Sequence, residues 1–184
     1  MLRNTERSWG AAARLLHWLV AVLVFAQFGL GWAAVVWPLS PTKLDLFVWH
    51  KSVGMLVLAL MGVRIAWRLA NPAPVFPEQM TQLERGAAWV GHVLLYLLLI
   101  VLPATGWILN SAAGIPFRIF WLVELPAVVA PDEALADVLK LVHLTLGMAL
   151  GTLLVAHIGA ALRHHFVLRD DVLVRMLTGM RRSG

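Results

Sequence analysis

The last long apolar run of this chain, residues 140–165, reads KLVHLTLGMALGTLLVAHIGAALRHH and holds His143 and His157, fourteen residues apart. At about 100° per residue that spacing is close to four whole turns, so both rings leave one face of a helix. At about 1.5 Å rise per residue they sit roughly 21 Å apart along its axis. A bilayer hydrocarbon core is about 30 Å thick, so a spanning helix in this register puts one ring near each surface. Histidine inside a span is costly and marks a functional site by default. Two on one stripe, at opposite depths, are spaced as anchors for two stacked cofactors.

Composition agrees that the solvent is lipid. Of 184 residues, 60% are hydrophobic and only 14% are charged, more apolar surface than a soluble domain of this size can bury. The length admits four spans of roughly 20–26 residues and no separate soluble domain. The expected fold is therefore an all-α membrane protein, a four-transmembrane-helix bundle forming one domain over residues 1–184. The net charge of +5 does not point to nucleic acid, because the arginines flank apolar runs as orientation signals do. With no cysteine in the chain, disulfides, iron–sulfur clusters and thioether-linked haem are excluded.

The spans are expected at residues 14–37, 46–69, 85–109 and 138–163. The first has a basic start like a signal peptide but is too long for one. Pro38 and Pro41 are expected to end it, with Lys43 and Asp45 in the following loop. A proline-rich connection, NPAPVFPEQMTQLE, separates spans two and three, and Pro103 is expected to kink the far end of span three. Within the last connection, IPFRIFWLVELP is apolar but too short to span, which suits an interfacial segment.

If both termini lie inside, that side holds Arg3, Arg7, Arg14, Arg64, Arg68, Arg85, Arg163, Arg169, Arg175, Arg181 and Arg182. Lys43, Lys51, Arg118 and Lys140 are left outside. Eleven basic residues against four is a positive-inside bias, so both termini are expected to be cytoplasmic. Depth then sorts the histidines. His17, His92 and His157 fall near the inner surface, His50 and His143 near the outer one, and His164 and His165 at the cytoplasmic water interface.

Imidazole serves zinc, copper and iron alike. The spans offer no carboxylate or cysteine to complete a zinc set, whereas two imidazoles on different helices suit the axial positions of a haem in a bundle core. His50 and Gly54, like His143 and Gly147, form H-x-x-x-G, so a flat macrocycle could approach the backbone one turn past each ring. Gly147 and Gly151 equally form a small-residue helix-packing motif.

An ordered set of motifs resembles the bacterial cytochrome b561 family of compact dihaem membrane cytochromes: LLHWL, WHKSVG, GHVLLYLLLIVLPATGW, HLTLG, AHIGAALRHHF and DDVLVRML. The resemblance runs over almost the whole chain. It implies that His17 and His157 ligate the iron of an inner haem b, and His50 and His143 that of an outer one. It also implies a multi-pass protein of the bacterial inner membrane, in contact with lipid. Its electrons would pass between a small-molecule donor on the periplasmic side and the quinone pool, with ubiquinone as acceptor. At least one branch of the family oxidises superoxide. Lys51 and Arg118 could draw an anion to the outer side, although Glu124, Asp132, Glu133 and Asp137 share it. His92, left without an axial position, is placed beside the inner haem as a quinone or propionate site.

Three functions compete. One is a self-contained quinone-linked oxidoreductase, which the short outer loops favour. Another is a membrane-anchor cytochrome b subunit relaying electrons between a soluble dehydrogenase or hydrogenase and quinone. A haem-free histidine relay conducting protons is the third. The scaffold alone does not separate the first two.

Overall fold

The computed structural model describes residues 1–6, 8–77 and 80–179. Arg7, Arg181 and Arg182, three of the arginines counted toward the inner side, lie outside the described residues. Four long helices carry the chain: α1 (Ala11–Val36), α2 (Pro41–Ala70), α3 (Gln82–Ala112) and α4 (Glu133–Arg163). A single π-helical turn, His164–Leu168, continues α4, and a short helix, α5 (Val172–Leu177), follows. All four long helices are long and apolar enough to cross a membrane. Their apolar side chains stay largely uncovered: Trp32 is 70% exposed, Val22 64% and Val155 74%. Apolar surface on this scale is the mark of helices solvated by lipid.

Helices α2, α3 and α4 begin earlier than hydropathy alone suggests, and the reason is capping. Pro41 opens α2 rather than closing α1, as a residue with fixed φ and no N–H does well at a first helical position. Lys43 is thus inside α2, and its Nζ donates to the carbonyls of Val35 (3.1 Å) and Trp37 (2.9 Å), covering the end of α1. Thr81 and Glu84 form a reciprocal capping box. The Glu84 amide donates to Thr81 Oγ1 at 3.2 Å, and the Thr81 amide donates to Glu84 Oε2 at 3.0 Å. At α4, Asp132 Oδ1 accepts from the Leu135 amide at 3.0 Å. Helix α3 runs through Pro103 to Ala112.

The segment IPFRIFWLVELP forms a minimal hairpin, β1 (Arg118–Ile119) paired antiparallel with β2 (Val123–Glu124). Phe120 and Trp121 make its turn at φ 49° and 61°, a left-handed conformation that costs a bulky residue free energy. Compensation is visible: the Phe120 amide donates to the fully buried Ser52 Oγ at 2.8 Å. Both aromatic rings also meet Trp49 edge-on, at 5.6 and 5.5 Å.

Contacts divide the chain into two compact units. The first comprises residues 1–19, 62–97 and 150–184, and the second residues 20–61 and 98–149. The second has the richer apolar core, including Val20, Val24, Val53, Val57, Met61 and Phe117. The first is held by polar ties as well. Asn4 donates to the Pro72 carbonyl, Arg175 donates to the Val75 carbonyl and pairs with Asp171, and Arg14 donates to the Leu177 carbonyl.

Candidate functional site

In the second unit, His50 on α2 and His143 on α4 face each other with ring centroids 6.3 Å apart. Both rings stand against glycine. A Cβ at Gly31 of α1 would meet His50 Cε1 at 3.0 Å, and one at Gly106 of α3 would meet His143 Cε1 at 3.1 Å. Any side chain at either position would press on its ring.

The glycines one turn past the histidines differ in their surroundings. Gly54 makes room for the Gln27 amide, which donates to the His50 carbonyl at 2.9 Å. Gly147 faces open space, so it leaves room beside His143 and makes no close helix contact there.

Hydrogen bonding assigns the proton on His143. Thr105 Oγ1 gives its only proton to the Leu102 carbonyl at 2.7 Å. Toward His143 Nδ1, 3.1 Å away, it therefore acts as acceptor. The ring proton lies on Nδ1, and Nε2 is left with a lone pair for a metal. His50 Nδ1 is buried and meets no hydrogen-bond acceptor at full bonding geometry among the described residues.

In the first unit three rings gather. His17 on α1 and His157 on α4 have centroids 6.3 Å apart, and His92 on α3 lies 5.6 Å from His157. Arg64 of α2 reaches into the group, its Nη2 3.0 Å from His17 Nδ1. Arg64 and Arg68 both lie over the Tyr96 ring, at 5.2 and 5.8 Å from its centroid.

The separations test the histidines against a shared iron. With metal–nitrogen distances of about 2.0–2.1 Å and a ring nitrogen roughly 1.1–1.2 Å from its centre, two rings facing each other across one metal have centroids about 6.2–6.6 Å apart. The His17–His157 and His50–His143 pairs both satisfy this, and His92–His157 is too close. Among the described residues no group of three or more His, Cys, Asp or Glu could hold a bare metal ion. Two facing imidazoles instead match a metal whose equatorial ligands come with a macrocycle.

Other residues fall differently from the sequence reading. His164 is buried rather than at a water interface, and its Nδ1 lies 2.5 Å from Asp170 Oδ2. The π-helical turn and the left-handed Arg169 (φ 56°) bring Asp170 back toward it. Arg118 pairs loosely with Glu124 at 3.8 Å across the hairpin. Lys51 donates to Asn110 Oδ1 at 2.6 Å. Sequence reasoning passed over Gly31, Gly106, Thr105 and Arg64, because each acts on a histidine of another helix and no spacing along the chain connects them.

The family described as prokaryotic cytochrome b561 matches residues 8–179. "Cytochrome b561 homolog 2" of Escherichia coli (strain K12) is 34% identical over 179 residues, covering 95% of this chain and 93% of its own. "Probable superoxide oxidase CybB" of Yersinia pestis is 33% identical over 165 residues, covering 88% and 91%. "Cytochrome b561 homolog 1" of Escherichia coli (strain K12) is 30% identical over 168 residues, covering 88% and 92%. The chain belongs to the prokaryotic cytochrome b561 family and is a haem b-binding, multi-pass bacterial membrane protein of electron transport.

Proposed function

We propose that this protein is a dihaem quinone reductase of the bacterial inner membrane, working as one membrane domain over residues 1–184. His17 and His157 are the axial ligands of an inner haem b, and His50 and His143 those of an outer one. The observation that carries this reading is the shared 6.3 Å separation of the two pairs. Bound haem supplies reversible one-electron chemistry. The protein's part is to hold both axial rings, keep Nε2 of His143 free through Thr105, and seat His50 and His143 against Gly31 and Gly106.

Electrons enter from a periplasmic-side donor and leave to ubiquinone. Superoxide is the donor suggested by the name of the Yersinia pestis relative, and Lys51 and Arg118 would favour an anion. His92 takes no axial position: its 5.6 Å distance from His157 suits a neighbour of the inner haem that donates to quinone or to a propionate. The arginine distribution supports termini on the cytoplasmic side, and a periplasmic-active reporter fused at Gly184 would overturn that orientation.

Pyridine haemochrome quantitation tests the central claim. Two haem b per chain, low-spin in the visible spectrum, is the expected result. One or none defeats it.

A further inference from the structure

Arg64 is the residue that haem ligation at His17 leaves without a compatible partner. A guanidinium has N–H donors and no lone pair, so at 3.0 Å from His17 Nδ1 it donates and the ring accepts. A neutral ring that accepts at Nδ1 carries its proton on Nε2. Neither ring nitrogen is then open to iron. Ligation through Nε2 moves the proton to Nδ1, where it needs an acceptor such as a carbonyl, carboxylate, hydroxyl or water. Thr105 meets that need for His143, but Arg64 has nothing with which to meet it for His17.

Arg64 must therefore find an acceptor elsewhere when iron binds, and among the described residues no carboxylate pairs with it. Among the described residues neither Arg64 nor Arg68 forms an ion pair. Both guanidinium groups lie over one ring, Tyr96, on a helix of membrane length. Two neighbouring positive charges without a counterion are costly there. Haem b carries two carboxylates, and the guanidinium fork matches a carboxylate in two parallel hydrogen bonds.

We propose that Arg64, with Arg68 beside it, seats the propionate carboxylates of the haem ligated by His17 and His157, exchanging its His17 contact for a carboxylate when haem is bound. The inference rests on the ligand assignment proposed above. A fixed positive charge close to the iron favours the ferrous state, so the seat would also raise that haem's midpoint potential.

The test uses full-length protein grown on 5-aminolevulinate that labels the propionate carboxyls with ¹³C. Redox-difference infrared spectra and potentiometric titrations of the haem bands are compared for wild type, Arg64→Lys and Arg64→Gln. In Arg64→Gln the label-sensitive carboxylate bands are expected to move and one midpoint to fall, with the other unchanged. Arg64→Lys should fall between, and it carries the measurement if Arg64→Gln loses a haem. Label-sensitive bands identical to wild type in both variants would overturn the proposal, whether or not a midpoint shifts. A midpoint shift alone would mean that Arg64 acts through His17 or holds a lipid phosphate. Retention of both haems in His17→Ala would instead defeat the ligand assignment, so the two failures are distinguishable.

Discussion

His50 and His143 are contacted by neutral groups, a threonine hydroxyl at the His143 ring, a glutamine amide at the His50 carbonyl and two glycine backbones, with the charge of Lys51 one residue along from His50. His17 and His157 meet a guanidinium and a third imidazole. Ring separation is the same in both pairs, so the placement of the helices sets the gap without regard to those neighbours. Neighbours decide something else, namely which nitrogen is free to bind. Thr105 accepts at His143 Nδ1 and leaves Nε2 with a lone pair, whereas Arg64 donates to His17 Nδ1 and holds that ring's proton on Nε2. On the function proposed above, the second unit would act as a preformed clamp, and the first as a site completed by an anion-bearing ligand.

The most direct way to break this comparison is to remove one ring from each pair. His143→Ala is expected to abolish one haem and His157→Ala the other, each reducing haem content from two to about one per chain while the remaining spectrum persists. Loss of both haems from either variant, in protein that still folds and inserts, would show that the pairs are not independent.

Filling the glycine seats should separate the units more finely. Gly31→Ala and Gly106→Ala place a methyl about 3 Å from a histidine ring, and overpacking of this kind costs roughly 1–3 kcal/mol. Reduced occupancy confined to the His50–His143 haem is expected, read as a lower haem-to-protein ratio and an earlier loss of that band on heating. Equal loss from both haems would argue against a local seat.

Thr105→Val keeps the shape and removes the acceptor. Loss of such a hydrogen bond to a ligand histidine typically costs about 10–100-fold in affinity. A less basic His143 should also raise that haem's midpoint, with the other haem unmoved in the same titration. An unchanged midpoint would remove Thr105 from the site.

His92→Ala is expected to have the smallest spectroscopic effect. Both haem spectra should survive, with a slower reduction of added ubiquinone in stopped-flow absorbance. Disappearance of the His17–His157 haem would make His92 a ligand, and unchanged turnover would make it a packing residue.

Much of this arrangement was legible in the chain. The four spans follow from hydropathy, and the two-group sorting of histidines follows from helical spacing in α4. The helices run past the expected spans where capping chemistry, at Pro41, Thr81 with Glu84, and Asp132, carries them into polar sequence that hydropathy scores as loop. His164 is buried by the protein for a related reason. A π-helical turn and a left-handed Arg169 fold Asp170 back onto it, and neither has a periodic signature.

By itself, then, the sequence determined a membrane protein with four spans, without thiol ligands, and with histidines at two depths. Those properties depend on composition and on spacing along one helix, which are local. Only the tertiary structure set the His17 ring 6.3 Å and the His92 ring 5.6 Å from that of His157. It alone brought Gly31 and Gly106 against rings of other helices, and set Thr105 and Arg64 as opposite kinds of partner to two of the histidines. Those are relations between side chains on different helices, fixed by how the helices are rotated and set against one another, and no periodicity within a single helix encodes them.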